Sequence, residues 1–217
     1  IILKEDEFVR VVNDCLEITV ENDILLTLGI TPSRPDTGYG YIQFTDEKIA
    51  EHKKARKVKT FTEKPDQELA LNFLDSGDFL WNSGMFIWSA QSISLAYRKH
   101  LRDMYEVFEE GKEFYNTLEE KEFIDRVFPG LKNISIDYGI MEKSDNVYVY
   151  PADFGWSDLG TWGSLYTHLD LDDNKNAIQG KEVMLYDCSE NIVKVADDKL
   201  VVMQGLHGYI VVENEGT

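Results

Sequence analysis

Apolar residues near the start of the chain recur at helical spacing and then give way to a continuous apolar run. After the apolar residues Ile1 to Leu3, the recurring positions are Phe8, Val11, Val12, Cys15 and Leu16. Their spacing of three and four residues, with acidic residues between them, predicts an amphipathic helix. The run "DILLTLGI" that follows has the length of a strand and is typical of a strand covered on both faces. This order predicts an α/β protein with a largely parallel sheet.

The rest of the chain alternates between strand-like and helix-like patterns. Runs rich in β-branched and aromatic residues predict strands, and charged segments with apolar residues at helical spacing predict helices. The predicted strands are "YIQF" (41–44), "RKVKTFTEKP" (56–65), "FLWNSGMFIWS" (79–89) and "VYVYPA" (147–152). The predicted helices lie within 66–76, 90–121, 135–143 and, after a turn, 156–169. The charged stretch "TDEKIAEHKKA" (45–55) is expected to join the first two of these strands.

The composition changes at about Asp170. Beyond it, short apolar runs alternate with Asn, Asp and Gly, which predicts short strands and tight turns. We therefore expect one domain over 1–170 and a β-rich segment over 171–217. No internal repeat is visible in the sequence.

The charge of the chain excludes several classes of partner. With 40 acidic and 22 basic residues the net charge is -18, so nucleic acid and anionic membrane surfaces are excluded as partners. A small anionic substrate would need local Lys or Arg, or a metal ion, to offset this field. Cys15 and Cys188 lie far apart without a second ligand nearby, which argues against a disulfide framework and against zinc. Reduced cysteines and the absence of a membrane-spanning run predict a cytoplasmic protein.

The stretch "TPSRPDTGYGYIQ" (31–43) is the first candidate for chemistry. Gly38 and Gly40 flank Tyr39, and glycine allows open φ values and a close approach of the backbone to a ligand. The alternative is a plain turn into a hairpin. The segment matches neither a P-loop nor a dinucleotide fingerprint.

Glu63-Lys64-Pro65 is the second candidate. Proline biases Lys64 toward extended geometry, so we expect the two charges on opposite sides of a strand. One could then meet sugar hydroxyls and the other a phosphate. The alternative is a solvated hairpin edge.

Two further spots place polar residues among aromatic ones. Asn82 begins a polar break inside an aromatic strand, and an unsatisfied buried amide costs about 1–3 kcal/mol, so protein groups or ligand hydroxyls must satisfy it. Asp158, within "FGWSDLGTW", either caps the helix that follows or ligates a hard cation.

The order of these motifs is more specific than any one of them. The chain carries, in order, "LLTLGITPSRPDTGYGYI", "FTEKPD", "ALNFLDSGDFLWNSGMFIW", "SIDYGIMEK" and "VYVYPADFGWSDLGTW". Together they closely resemble mannose-1-phosphate guanylyltransferases, which are sugar nucleotidyltransferases. The resemblance spans roughly Ile1 to Trp162 and continues more loosely beyond. It implies the C-terminal portion of a Rossmann-like, GT-A-like mixed sheet with flanking helices, followed by a small β-rich segment.

The resemblance also implies which residues bind substrate. By position they are Tyr39, Gly40, Glu63, Lys64, Asn82, Gly84 and Asp137. The backbone at Tyr39 and Gly40 would lie against the sugar. Glu63 would accept hydrogen bonds from sugar hydroxyls, and Lys64 would hold the sugar phosphate.

The remaining implied residues concern the hexose and a metal ion. Asn82 and Gly84 match a strand break beside the hexose, and Asp137 begins a helix near the same pocket. Asp158 matches one of two aspartates that hold Mg²⁺ or another divalent cation, so Lys64 and Asp158 are the implied catalytic residues. The implied reaction is in-line attack of mannose 1-phosphate on the α-phosphorus of GTP, with release of pyrophosphate.

The chain departs from the family at its start. The family opens with a glycine-rich strand-turn-helix carrying an Arg and a Lys, and its first metal aspartate precedes the segment with which this chain begins. Neither is present, so we expect a piece that holds the sugar-binding half and does not turn over alone. GTP is implied by the resemblance only.

Two other functions stay open at this point. They are another hexose-1-phosphate nucleotidyltransferase and a non-catalytic, regulatory sugar-nucleotide-binding paralogue. The oligomeric state is also open, a homo-oligomer included.

Overall fold

The computed structural model describes residues 1–49, 52–160 and 162–213, and the side chains of residues 52 and 53 are outside this description. The chain divides into two compact units. The first spans Ile2–Trp156, and the second comprises Ser157 onward together with Ile1. Each unit has a hydrophobic core of its own.

The first unit combines a sheet with helices. Its strands are β1 (Leu25–Ile30), β2 (Gly40–Ile49), β3 (His52–Glu63), β4 (Phe79–Ile87) and β5 (Val147–Ala152). Its helices are α1 (Glu5–Glu21), α2 (Gln67–Ser76), α3 (Ala90–His100), α4 (Arg102–Glu110), α5 (Glu120–Val127) and α6 (Ile136–Gly139). A 3₁₀ turn, Met141–Lys143, follows α6.

Most predicted elements of this unit are confirmed, with three differences in extent. The predicted helical region 90–121 contains the separate helices α3 and α4, and α5 continues beyond it to Val127. The charged stretch 45–55 is not a connection, because β2 and β3 continue through most of it; residues 50 and 51 lie outside the described ranges. The predicted strand 79–89 is continuous and only partly buried.

Helices α1 and α2 form for reasons visible in the sequence. Val11, Cys15 and Ile18 form the buried face of α1 and pack in the core beside β1, whereas Leu16 is exposed. In α2 the Asp66 carboxylate caps the first turn by accepting a hydrogen bond from Leu69 N at 2.8 Å, which is typically worth about 1 kcal/mol.

The sheet is mixed, and the prediction of a largely parallel sheet is wrong. The strand order is β1-β4-β2-β3-β5, and β5 pairs with β1 to close a barrel. The β1–β5 pairing is parallel, while the described pairings β1–β4, β2–β4, β2–β3 and β3–β5 are antiparallel. β2 ends at Ile49 and β3 begins at His52, and strands so close along the chain can pair only in the antiparallel direction, which accounts for the β2–β3 pairing. The expected mixed sheet with flanking helices is confirmed, and its GT-A-like character stays a prediction.

Strand β1 is buried along its whole length, as its continuous apolar run predicts. Leu26, Leu28 and Ile30 belong to one apolar cluster and Leu25 to another, so both faces are covered. Gly29 is required for space, because a Cβ there would lie 2.6 Å from Leu80 Cδ1 and from Val149 Cγ2.

The second unit is a β ladder preceded by a short helix. Its elements are α7 (Trp162–Tyr166), β6 (Ala177–Gln179), β7 (Glu182–Tyr186), β8 (Ile192–Lys194), β9 (Leu200–Gln204) and β10 (Ile210–Val212). Strands β6, β8 and β10 pair in parallel, as do β7 and β9. The predicted β-rich character is therefore confirmed.

The ladder contains a repeat that the sequence analysis missed. Ile192 pairs with Ile210 and Glu182 with Leu200, in each case 18 residues further along the chain. The turns before β8 and β10 also correspond, because Glu190 and Gly208 both have a positive φ and each lies two residues before its strand. This repeat is one of backbone geometry rather than residue types, so it is not visible in the sequence.

The limits of the units differ from the predicted domain limits. The predicted boundary at about Asp170 falls inside the second unit, before β6. A division by spatial contacts does not test a functional domain limit, so 1–170 and 171–217 stay predictions. Among the described residues, no helix is both long enough and apolar enough to cross a membrane.

Candidate functional site

The glycine turn lies directly against the E-K-P segment. Gly40 begins β2 and pairs with Glu63 at the end of β3. A Cβ on Gly40 would overlap Glu63 Oε2, so any larger residue here would displace the Glu63 carboxylate. The expected open φ values are wrong, because neither Gly38 nor Gly40 has a positive φ. The close approach is between Gly40 and a carboxylate of the protein itself.

Lys64 does not adopt the extended geometry that its proline neighbour favours. Its φ is 47°, a left-handed value that costs a residue with a side chain about 1–2 kcal/mol. Its N–H donates to Tyr39 O at 3.3 Å, and its ammonium lies 2.7 Å from Glu63 Oε1. The prediction of charges on opposite sides of a strand is therefore wrong. The backbone contact with Tyr39 turns the chain out of β3 and brings the two charges together.

The ion pair leaves both charges in reach of solvent. The Lys64 side chain is 64% exposed and the Glu63 side chain 25% exposed. The hydrogen bond and charge of Glu63 raise the pKa of Lys64 above its ordinary value. Lys64 is therefore cationic at neutral pH and accessible to a second anion.

Asn82 occupies a bulge in β4. Thr27 pairs with Phe86, and Gly29 with Asn82, so a step of two residues along β1 opposes a step of four residues along β4. Asn82 Nδ2 donates to Asp137 Oδ1 at 2.8 Å, and Asn82 Oδ1 accepts from Gly84 N at 3.1 Å. Protein groups thus satisfy the carbonyl oxygen of Asn82, one of the two alternatives that the sequence left open.

The bulge depends on Gly84 and Ser83. Gly84 has a φ of 70°, which is accessible to glycine at little cost, and a Cβ there would face open space. Ser83 Oγ donates to Leu28 O at 2.7 Å and accepts from Met85 N at 3.3 Å. These contacts fix the bulge to β1.

Asp137 lies in the first turn of α6, whose N-terminus is capped by Ser135. Burial raises the pKa of Asp137, the hydrogen bond from Asn82 lowers it, and the charge of Glu63 raises it again. The pKa of Glu142 is also raised, by burial and then by Asp137. Ionised Asp137 is therefore held at an energetic cost that a further hydrogen-bond donor would reduce.

The first unit thus brings the seven predicted substrate-binding residues into one connected set. We call the set Tyr39, Gly40, Glu63, Lys64, Asn82, Gly84 and Asp137 the polar cluster. Direct contacts link Tyr39 to Lys64, Gly40 to Glu63, and Asn82 to Asp137. A Cβ on Gly40 would also lie 3.4 Å from Asn82 Cβ, which joins the two halves. The assigned roles of these residues stay predictions.

An aromatic group beside Tyr39 was missed by the sequence analysis. The Tyr39 ring makes edge contacts with Trp81 at 5.0 Å and Trp156 at 5.4 Å between centroids. The Arg34 guanidinium lies 5.3 Å from the Trp81 ring and pairs with Asp36 at 2.8 Å. Among the described residues no acceptor reaches the buried indole N–H of Trp81, so an oxygen placed there would be bound favourably.

Asp158 belongs to the second unit. It is exposed, and its Oδ1 accepts a hydrogen bond from Gly160 N at 2.8 Å, a local turn ahead of α7. Thr161, the last residue before α7, lies outside the described ranges. Within those ranges no three His, Cys, Asp or Glu side chains are grouped to hold a metal ion. Since Mg²⁺ is usually bound by one or two carboxylates with phosphates and waters, a single exposed carboxylate fits such a site in its chemistry.

Comparison with known proteins identifies the family. Residues 2–175 match the nucleotidyl transferase family. The chain belongs to the nucleotidyl transferase family. A mannose-1-phosphate guanylyltransferase of Salmonella montevideo is 34% identical over 226 residues, covering 99% of this chain and 46% of that relative. The alginate biosynthesis protein AlgA of Pseudomonas fluorescens is 35% identical over 202 residues, covering 91% of this chain and 41% of that relative.

A solved structure supports the same family. The crystal structure of a protein described as mannose-1-phosphate geranyltransferase from Thermus thermophilus matches with a TM-score of 0.83 and 27% identity. The match covers 100% of this chain and 61% of the chain in that crystal structure. By the coverages given above, this chain spans less than half the length of each of the two curated relatives.

Proposed function

We propose that this chain supplies the sugar-phosphate site of an enzyme that transfers a guanylyl group from GTP to mannose 1-phosphate. The polar cluster carries the proposal, since it joins hydrogen-bonding groups for a sugar to one exposed cation. The guanylyltransferase relatives support the choice of hexose and nucleotide.

The sugar would be recognised by the carboxylates and the carboxamide. Glu63 and Asp137 offer carboxylate oxygens as acceptors, and Asn82 offers a donor. Gly40 lets the Glu63 carboxylate lie where a Cβ would otherwise be. Such an array suits a polyhydroxylated ring, whose hydroxyls both donate and accept.

The phosphate of the sugar would be held by Lys64. The ammonium is already oriented by Glu63, so part of the cost of fixing a flexible lysine is met before the ligand binds. A charge-assisted hydrogen bond to phosphate is stronger than a neutral one. In a protein with a net charge of -18, this local cation offsets repulsion of an anionic substrate.

In the proposed reaction an oxygen of mannose 1-phosphate attacks the α-phosphorus of GTP. A new phosphorus–oxygen bond forms, the bond to the β-phosphate breaks, and pyrophosphate leaves. The chain's own residues act by positioning the attacking phosphate and partly neutralising it. Asp158 would help to hold a divalent cation, which when bound would neutralise phosphate charge.

Calorimetric titration of the 217-residue chain with mannose 1-phosphate tests the proposal. We expect saturable binding that weakens at least about tenfold for mannose without its phosphate, because the ion pair with Lys64 is lost. Glucose 1-phosphate is the matched comparison. Tighter binding of glucose 1-phosphate would favour a different hexose-1-phosphate nucleotidyltransferase, and binding of neither would contradict the proposal.

Turnover separates the enzyme from a non-catalytic binding protein. We expect GDP-mannose and pyrophosphate from GTP and mannose 1-phosphate in the longest protein that carries this chain, and none from the 217 residues alone. Binding without turnover in that longer protein would favour the regulatory paralogue.

Replacement of Asp158 by Asn in that longer protein tests its predicted metal role. If the carboxylate holds the cation, turnover should fall at least about a hundredfold and respond weakly to added Mg²⁺, while thermal unfolding is unchanged. Asn caps helices nearly as well as Asp, so a capping role alone would leave activity intact and cost at most about 1 kcal/mol.

A further inference from the structure

Thr27 is a polar residue in an otherwise apolar stretch of β1. Its side chain is fully buried, between Leu26 and Leu28, which belong to the apolar core. Threonine in such a position must find hydrogen-bond partners, because a buried unpaired hydroxyl is costly. The Thr27 hydroxyl lies 3.2 Å from Met85 O and 3.4 Å from Asn82 Oδ1.

The partners of Asn82 determine which way its carboxamide points. Gly84 N is a donor, so it requires the carboxamide oxygen on its side, and the Thr27 hydroxyl donates toward the same oxygen while sharing its one proton with Met85 O. Asp137 Oδ1 is an acceptor and requires the nitrogen. The reversed carboxamide would place N–H against N–H and oxygen against carboxylate, so only one orientation is compatible with these neighbours.

This orientation leaves one group of the carboxamide for a ligand. The oxygen accepts from Gly84 N and faces the Thr27 hydroxyl, whose one proton it shares with Met85 O. Among the described residues, the nitrogen has one acceptor, Asp137 Oδ1, for its two protons. The second proton is therefore available as a donor beside the Asp137 carboxylate.

We infer that Thr27 is a positioning residue for sugar recognition, which holds the Asn82 carboxamide as a donor toward Asp137 and toward one oxygen of the hexose. The inference rests on the proposed function for the identity of the ligand. Thr27 acts through Asn82 and does not itself contact the sugar.

The test compares Thr27→Val, which keeps the shape and removes the hydroxyl, with Thr27→Ser, which keeps the hydroxyl. By calorimetry we expect Thr27→Val to weaken mannose 1-phosphate binding about fivefold and Thr27→Ser to stay within about twofold of wild type. A double-mutant cycle with Asn82→Ala completes the experiment. The double variant should bind as weakly as Asn82→Ala alone, because Thr27 acts through that side chain.

A second readout is independent of any ligand. The hydrogen bond from Asn82 lowers the pKa of Asp137, so loosening the carboxamide should raise it. Carbon-13 NMR titration of the Asp137 carboxyl should show a rise in Thr27→Val and a larger rise in Asn82→Ala. A threonine that served packing alone would leave this pKa unchanged.

The outcomes separate the positioning role of Thr27 from the proposed function. Additive effects of Thr27→Val and Asn82→Ala on binding, or an unchanged pKa of Asp137 in Thr27→Val, would overturn the inference. If wild type binds no hexose phosphate, the proposed function fails, and the pKa of Asp137 still decides whether Thr27 positions Asn82.

Discussion

Asparagine side chains in the two units have different hydrogen-bond partners. In the ladder of the second unit, Asn191 Nδ2 donates to Asn176 Oδ1 and to Leu206 O, and Asn191 Oδ1 accepts from Tyr209 N. Asn176 and Asn191 are buried, and their carboxamides are fully engaged. In the first unit, Asn82 is half-buried and keeps one proton without a partner among the described residues.

The difference teaches how to tell a structural polar residue from one that binds a ligand. A buried network with every donor and acceptor paired stabilises one structure. A network with a donor left beside a carboxylate of raised pKa is less stable than it could be, and a ligand can complete it. The predictions below test this contrast, beginning with the largest effect.

Removal of a fully paired asparagine should cost the most stability. Asn191→Ala leaves Tyr209 N without its acceptor and removes the hydrogen bonds to Asn176 Oδ1 and Leu206 O, so we expect a loss of about 3 kcal/mol of unfolding free energy. Urea denaturation followed by circular dichroism measures it. Exposed Asn174 is a matched control, and Asn174→Ala should change stability by less than about 0.5 kcal/mol.

Replacement of Asn82 by Ala should weaken ligand binding more than it lowers stability, the reverse of what we expect for Asn191→Ala. Asn82→Ala should cost about 1 kcal/mol of stability, because water can replace a half-buried carboxamide, and should weaken mannose 1-phosphate binding at least about tenfold. Equal losses of stability in Asn82→Ala and Asn191→Ala would remove the contrast between the two networks.

Loss of the exposed cation should affect the ligand rather than the fold. Lys64→Ala should weaken mannose 1-phosphate binding about tenfold or more and leave the affinity for unphosphorylated mannose nearly unchanged. In the longest protein that carries the chain it should raise the requirement for sugar phosphate far more than that for GTP. Lys59→Ala, an equal charge change on β3, is the control. Equal effects on sugar phosphate and GTP would contradict the assignment.

The smallest expected effect on stability comes from the free-energy cost of keeping the partly buried Asp137 carboxyl ionised. Burial raises the pKa of Asp137 above its ordinary value of 3.8, so the folded state binds this proton more tightly than the unfolded chain does. The free energy of unfolding should therefore fall as pH rises through that range. Asp137→Asn, which cannot ionise, should become more stable relative to wild type as pH rises through the same range.

The control for this prediction is Asp75→Asn, which also removes one negative charge, at an exposed site on α2. Glu63, Glu142 and Lys64 also act on the Asp137 carboxyl, so the comparison is made in one buffer series. A stability difference between Asp137→Asn and wild type that does not change with pH would show that the charge carries no cost.

The features best predicted from the sequence are those that local patterns of residues encode. Helix α1 follows from apolar spacing, and β1 follows from one continuous apolar run. The order of motifs also predicted the residues of the polar cluster. These features depend on neighbours in the sequence, or on a family that preserves their order.

Features that depend on distant contacts were predicted wrongly or missed. Lys64 is left-handed because its N–H reaches Tyr39 O across the hairpin, against the local preference before proline. Thr27 was not singled out, although a polar residue inside an apolar strand is a signal that could have found it. The repeat in the second unit was missed because equivalent turns have different residues, Glu190 before β8 and Gly208 before β10.

The central claim is that the polar cluster is where a hexose phosphate binds. Titration of the nitrogen-15-labelled chain with mannose 1-phosphate tests it most directly. The account predicts saturable shifts of the backbone amides of Gly40, Lys64, Gly84 and Asp137, together with the side-chain amide of Asn82. Shifts confined to residues outside the polar cluster, or no shifts at millimolar ligand, would contradict it.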